Sequence, residues 1–193
     1  MSVGRLATRA LIGGLFVGHG TQKLFGWFGG PGRAGTEGMM ESLQMRPAKV
    51  HALAAGATEA VGGALLVAGL ATPAAAAALT GVMTTAIKKV HLANGPWAAN
   101  GGWEYNAVLI GALVALAETG PGELSLDHAL GTQRCGPVWA LGALATGVAA
   151  AALTMAAGSR GAASPSASSD EAAAVSAHGE TAGDPTTVGA DGP

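Results

Sequence analysis

A single carboxylate lies inside one long apolar run of this 193-residue chain, and basic side chains lie at the end of the next run. Glu59 is the one charged residue in the stretch 51–70, and Lys88 and His91 lie near the end of the stretch 73–92. An ionisable side chain at membrane depth is costly, so it normally faces a partner or a water-filled cavity. These residues therefore predict a functional site between helices.

Helical spacing groups the polar residues into faces. His19 and Lys23 are four positions apart, so they share one face of a helix. Thr84, Lys88 and His91 step by four and then three positions, which predicts a second polar stripe. Two stripes on two helices could close around a common ligand or around each other.

The neighbours of these stripes carry further predictions. Lys89 follows Lys88 at about 100° around the helix, which predicts that it reaches for lipid headgroups. Glu59 lies about 12 Å along its helix from His51, close to mid-membrane. Gly62 and Gly63 follow Glu59 by three and four positions and are expected to clear space on its face for a second helix or a flat ligand.

Three interpretations of this polar group compete. In the first, Glu59 pairs with Lys23 or Lys88 and fixes the helix register as a structural ion pair. In the second, Glu59, His19 and His91 act as catalytic groups that exchange protons with a bound ligand such as a quinone, because histidine titrates near neutral pH and carboxylates can move protons. The third, haem ligation by His19 and His91, is disfavoured because nothing in their spacing demands iron.

The elements that must position these residues are apolar segments long enough to cross a hydrocarbon core of about 30 Å. The sequence predicts five of them: 6–25, 51–70, 73–92, 103–119 and 136–157. The short connection at Thr72-Pro73 makes the second and third segments antiparallel neighbours. Gly14 and Gly18 form a GxxxG pair in the first segment, which is expected to be a close-packing face.

The resulting fold class is all-α integral membrane: a four-helix transmembrane bundle, a fifth C-terminal transmembrane helix and a disordered tail. The predicted boundaries are 1–130 for the bundle domain, 131–157 for the additional helix and 158–193 for the Ala/Ser/Gly-rich acidic tail, which lacks apolar periodicity. A short amphipathic helix is expected over 36–43. The formal G-x-G-x-x-G match at 30–35 follows an apolar helix rather than a strand, so it does not indicate a dinucleotide site.

Composition narrows the class of protein. Charged residues are 11% of the chain, against about 25% in a typical soluble domain. The net charge of -2 argues against a nucleic-acid partner. The single cysteine, Cys135, excludes an internal disulfide and a cysteine-based metal cluster, and we predict no metal site. The distribution of Lys and Arg predicts a multi-pass plasma-membrane protein with a cytoplasmic tail.

Four blocks of the sequence carry a family resemblance: HGTQKLFGWFGGPG, TEAVGGALLVAGLATP, AIKKVHLANG and GGWEYN. In this order, over roughly residues 5–126, they resemble the DoxX family of small bacterial membrane proteins. The resemblance implies a four-helix bundle related to the membrane subunit of thiosulfate:quinone oxidoreductase. The chain's residues at the family's recurring polar positions are His19, Lys23, Glu59, His91, Glu104 and Tyr105.

The resemblance also implies partners. Some actinobacterial members are linked to membrane redox complexes for sulfur and oxidative stress, alongside a sulfurtransferase and a superoxide dismutase, and the Ala/Gly-rich composition suits an actinobacterium. We therefore expect a membrane subunit that organises soluble redox partners in the lipid bilayer, with a homo-oligomer as a further expectation.

The alternative is a catalytic quinone-reducing subunit in which Glu59 and His91 handle protons, and Lys23 or Lys88 holds an anion. Glu104 and Tyr105 would contact the ligand. A small-solute transporter is the third hypothesis.

Overall fold

The computed structural model describes residues 3–163, and the described part of the chain is helical throughout, without a strand. The α-helices are α1 (Val3–Phe25), α2 (Gly32–Ser42), α3 (Ala48–Ala68), α4 (Thr72–Ala86), α5 (Glu104–Thr119), α6 (Leu126–Ala129) and α7 (Pro137–Ala163). A π-helical turn, Ile87–His91, continues α4, and short 3-10 turns occupy Trp27–Gly29, Leu92–Asn94 and Ala98–Asn100.

The five predicted apolar segments coincide with α1, α3, α4 with its π turn, α5 and α7. Two stretches, Ala48–Ala68 and Pro137–Gly161, are long and apolar enough to cross a membrane by length and composition. The all-α class is confirmed, whereas the count of four spans plus one stays a prediction. The amphipathic helix expected over 36–43 lies within α2.

The last helix is longer than expected. Residues 158–163, which the composition placed in the tail, are the final turns of α7. The rest of the predicted tail, 164–193, lies outside the described residues. A glycine at 158 fits this continuation because it packs closely on Met45, where a Cβ would meet the thioether sulfur at 2.9 Å.

Glycines bring α1 and α3 into direct backbone contact. A Cβ added at Gly13 would lie 2.6 Å from the carbonyl oxygen of Gly63, and one at Gly20 would overlap the backbone of Ala60. The prediction that Gly14 and Gly18 form this close-packing face is wrong, because a Cβ at either position would meet nothing within 4 Å. The glycines of α1 that contact α3 are Gly13 and Gly20, which are seven positions apart. They lie on a different face of the helix from Gly14 and Gly18.

The core lies between α1, α3, α4 and α5. Its fully buried side chains include Phe16, Leu66, Leu79 and Leu113. Of the two neighbours expected beside Gly62, a second helix or a flat ligand, the structure has a second helix, because a Cβ at that glycine would lie 3.0 Å from the side chain of Leu79 in α4. Helix α7 packs on the same core through Gly147, which approaches the backbone of α4.

Candidate functional site

A cavity of about 760 Å³ lies among α1, α2, α3, the end of α4 with its π turn, the start of α5 and the second half of α7. Its walls are mostly apolar, with the methionines Met39, Met40, Met45 and Met83 contributing from α2, the loop that follows it, and α4. Its polar lining comprises His19, Lys23, His51, Thr58, Glu59, Thr85, Lys89, His91, Tyr105, Asn106 and Thr154.

Lys23 and Glu59 form an ion pair on the cavity wall. The Lys23 Nζ atom donates to Glu59 Oε2, and the Glu59 side chain is 3% exposed against 21% for Lys23. The close glycine contact between α1 and α3 positions this pair, because Gly20 and Gly56 let the two helices meet one turn away from the charged residues. Of the two partners predicted for Glu59, the structure therefore selects Lys23.

The two histidines predicted for the site both line the cavity, and both are oriented by hydrogen bonds. His91 Nδ1 lies 2.7 Å from the carbonyl oxygen of Gly101. A carbonyl only accepts, so His91 Nδ1 carries the proton and Nε2 keeps a lone pair in the neutral ring. His19 is exposed, and its Nδ1 lies 3.1 Å from Gln22 Oε1.

The cavity-facing stripe of α4 runs through Gly81, Val82 and Thr85, and Lys89 continues it at ordinary helical spacing. Lys89 donates to the carbonyl oxygen of Leu43 at 3.2 Å, instead of reaching for headgroups. The sequence predicted that Lys88 would share a stripe with His91, but a π turn, with i→i+5 hydrogen bonding, occupies Ile87–His91. Lys88 is exposed and is not among the residues that line this cavity.

The two site residues expected from α5 separate in the structure. Tyr105 lines the cavity and is 45% exposed. Glu104 is outside the lining, and its Oε1 accepts a hydrogen bond from the backbone N–H of Ala98 at 2.6 Å. That contact holds the loop before α5 in place. Five of the seven predicted site residues thus meet at one cavity, and Lys88 and Glu104 do not.

Among the polar lining residues that the sequence did not assign to the site, two stand out by their chemistry. His51 is half-buried on the cavity wall. Asn106 is 6% exposed, and its Nδ2 lies 3.4 Å from the sulfur of Met83. The one available signal was its position beside Tyr105 at the start of an apolar segment.

A second buried charge cluster lies at the opposite end of the bundle. Arg9, 2% exposed, donates from Nε to the carbonyl oxygen of Val67 at 3.2 Å and from Nη2 to that of Leu124 at 2.5 Å. Its Nη1 donates to the carbonyl oxygen of Pro121. The guanidinium thereby ties α1 to the end of α3 and to the loop after α5. We call this residue, with Asp127, the Arg9–Asp127 cluster.

Asp127 completes the Arg9–Asp127 cluster by capping α4. Its carboxylate accepts from the backbone N–H groups of Ala71 and Thr72, at 3.0 and 3.2 Å, and from Thr132 Oγ1 at 3.1 Å. Burial alone would raise the pKa of Asp127, but these hydrogen bonds outweigh burial and hold its pKa below the ordinary value.

Within residues 3–163, no three His, Cys, Asp or Glu side chains come together in a group that could hold a metal ion. The cavity instead offers an apolar volume with a few polar groups, which is the makeup of sites for small organic ligands. Its described residues can donate hydrogen bonds, accept them, and exchange protons.

The fold and site define a helical protein with two helices of membrane-crossing length and a buried ion pair beside a largely apolar cavity. Residues 4–92, somewhat less than half of the chain, match the model of the DoxX family of membrane proteins, and this match supports membership of that family. The match covers α1 to the π turn and ends before Glu104 and Tyr105. No curated protein and no solved structure matches the chain.

Proposed function

We propose that the chain is the membrane subunit of a redox complex and that its cavity binds the headgroup of a membrane quinone. The observation that carries this proposal is the meeting of the buried Lys23–Glu59 pair and His91 at one apolar cavity of about 760 Å³. Sites of this size and polarity hold flat, mostly apolar ligands with a few oxygen atoms. A quinone headgroup has this chemistry.

The chain's own residues have distinct tasks in this proposal. Lys23 holds Glu59 in place through their hydrogen bond, and its Nζ can also donate toward a ligand oxygen. Glu59 would relay protons from water to the quinone as the quinone is reduced. His91 is fixed by Gly101 with its Nε2 left for proton exchange. The methionines and aliphatic side chains exclude water. A bound quinone would supply the acceptor for two electrons and two protons.

The electrons in this proposal come from outside the chain. Two thiosulfate ions join through a new sulfur–sulfur bond to give tetrathionate and release two electrons, and the family resemblance supports a sulfur donor of this kind. Delivery by a soluble partner would make the chain the organiser that we expected from the sequence, since its single cysteine supplies no dithiol. The organising role and the quinone site are then parts of one function.

Charge distribution supports an orientation for the protein in the plasma membrane. The basic residues at the cavity end outnumber those at the Arg9–Asp127 end: Lys23, Arg33, Arg46, Lys49, Lys88, Lys89 and Arg160 against Arg5, Arg9 and Arg134. Because basic loops favour the cytoplasm, this proposal places the cavity end and the C-terminal tail inside the cell.

The test is thiosulfate-dependent reduction of a short-chain benzoquinone by the purified full-length protein in detergent, together with direct binding of that quinone. We expect the wild type to bind the quinone and to turn it over, and Glu59→Gln to lose turnover at least tenfold while staying folded. A folded wild type that binds the quinone without reducing it would assign electron delivery to a partner subunit. A folded wild type that binds no quinone would overturn the proposal, and an effect of Glu59→Gln on folding or partner yield alone would favour a purely organising role.

The two adjacent lysines provide a matched control for this test. Lys89→Met removes a cavity-lining cation, and Lys88→Met removes an exposed one. We expect Lys89→Met to weaken quinone binding several-fold and Lys88→Met to leave it unchanged. Equal effects would show that the cavity is not where the quinone binds.

A further inference from the structure

Asn106 is a buried amide on the cavity wall with little hydrogen bonding of its own. It is 6% exposed, and among the described residues its side chain contacts a hydrogen-bonding partner only at Met83, where Nδ2 lies 3.4 Å from the sulfur. A thioether is a weak acceptor, whereas an amide offers two N–H donors and a carbonyl with two lone pairs. Most of the hydrogen-bonding capacity of Asn106 is therefore available to a ligand in the cavity.

The orientation of this amide follows from its neighbour. Rotating the carboxamide by half a turn would place Oδ1 against the sulfur of Met83. Oxygen and thioether sulfur are both acceptors, so this arrangement would lose even the weak bond. The structure therefore has Nδ2 toward Met83 and leaves Oδ1 and the second N–H of Asn106 without a protein partner in residues 3–163.

Packing alone does not account for an amide at this position. Met83 and Leu109, which also line the cavity, are each 7% exposed, and Leu109 lies one turn along α5. A leucine at 106 would fill a similar volume in these surroundings without a polar group to desolvate. Because buried polar groups are normally paired, an unpaired amide aimed into a cavity points to a missing hydrogen-bond partner.

We infer that Asn106 is the residue that hydrogen-bonds the oxygen atoms of the ligand in both of its oxidation states. This inference rests on the proposed function and names a specificity residue for that site. Nδ2 donates to the carbonyl oxygen of a quinone, and Oδ1 accepts from the hydroxyl group of a quinol. A single side chain can thus hold substrate and product without moving.

The charged residues of the cavity lack this versatility. The ammonium group of Lys23 donates only, and the ionised carboxylate of Glu59 accepts only. Each of them favours one oxidation state of the ligand, whereas the amide of Asn106 serves both. The division of labour that follows is that the ion pair handles protons and Asn106 provides affinity for an oxygenated ring over a hydrocarbon ring.

The experiment measures dissociation constants for three probes with the full-length protein in lipid nanodiscs: decylbenzoquinone, its quinol and decylbenzene. Asn106→Leu is expected to weaken binding of the quinone and the quinol about tenfold, a loss within the range of one hydrogen bond. It should change decylbenzene affinity less than twofold. Asn106→Ala is measured as well, because alanine fits the site even if leucine does not. Asn100→Leu, at an exposed position, is the control.

Three outcomes decide the matter. Selective loss of both oxygenated probes in the Asn106 variants, with Asn100→Leu unchanged, supports the inference. Wild-type affinity for the quinone in folded Asn106→Leu or Asn106→Ala overturns the inference while the proposed function stands. A folded wild type that binds decylbenzene as tightly as decylbenzoquinone overturns both, because the site then does not recognise the oxygen atoms.

Discussion

The two ends of the helical bundle both bury charged side chains, but they leave very different amounts of hydrogen-bonding capacity unused. In the Arg9–Asp127 cluster, the guanidinium donates to three backbone carbonyls, and the carboxylate accepts from two backbone N–H groups and two threonine hydroxyls. At the cavity, Lys23 and Glu59 bond to each other, and Asn106 meets only a thioether.

This difference separates a structural network from a candidate binding site. A fully satisfied buried network stabilises one arrangement of the chain and has nothing left to offer a ligand. A partly satisfied one carries a desolvation penalty that a ligand can relieve. Burial alone would have ranked Arg9 and Glu59 as equally interesting, since each is 2% exposed. The number of hydrogen-bond partners around each of them distinguishes the two residues.

The contact between α1 and α3 joins the two ends, and breaking it should give the largest effect. Gly20→Val places a side chain against the backbone of Ala60, which cannot move aside as a flexible side chain could. We expect Gly20→Val to abolish folded protein in a detergent extract. Gly18→Val is the control, because a Cβ at Gly18 meets nothing within 4 Å. Similar yields of the two variants, measured by gel filtration, would contradict this close packing.

The glycine contact also shows what the sequence could and could not predict. Apolar length and turn residues were sufficient for the helices, and the sequence offered Lys23 as one of two partners for Glu59. The sequence offered several glycines on α1, however, and spacing within α1 does not say which of them meets α3. The correct pairs depend on the partner helix, whose rotation is set by the whole core.

Two other failures have equally local physical reasons. The assignment of Lys88 to the site placed it on a stripe with Thr84 and His91, whereas the cavity lies along the neighbouring stripe through Thr85 and Lys89. Sequence reasoning also missed the Arg9–Asp127 cluster, because its parts lie far apart in the chain and meet through loop backbone. Backbone partners carry no side-chain signature that a sequence pattern could reveal.

The second-largest effect should come from Arg9→Met, which leaves three carbonyls without donors and Asp127 without a nearby cation. We expect a loss of about 3–5 kcal/mol in the free energy of unfolding, measured by denaturant titration in mixed micelles. The folded fraction should still bind quinone normally. Arg5→Met removes one bond to the Thr119 carbonyl from a half-buried side chain and should cost less than about 1.5 kcal/mol. Equal losses of unfolding free energy in the two variants would show that Arg9 stabilises the protein no more than Arg5 does.

An intermediate effect is expected for the ion pair at the cavity. Lys23→Met and Glu59→Gln should each destabilise the protein by about 2 kcal/mol, since each leaves one partner unmatched near the apolar interior. The double variant should regain most of that loss, within about 1 kcal/mol of the wild type. Its quinone turnover should nevertheless be lost. Additive losses in the double variant would mean that Lys23 and Glu59 do not act as a pair.

The smallest expected effect is a dependence of stability on acid pH at the Arg9–Asp127 end. The pKa of Asp127 is lower in the folded protein than the ordinary value of about 3.9, because the hydrogen bonds from Ala71, Thr72 and Thr132 outweigh the effect of burial. A carboxylate of this kind contributes stability that is complete above its unfolded pKa and is lost as the pH falls through its folded pKa. The Tm of the wild type should therefore fall more steeply below pH 4 than the Tm of Asp127→Asn, which keeps the shape of the side chain without its charge. Parallel Tm curves for the two proteins would show that the cap on α4 does not depend on the ionised form, and the contrast between the two ends would then rest on hydrogen bonds alone.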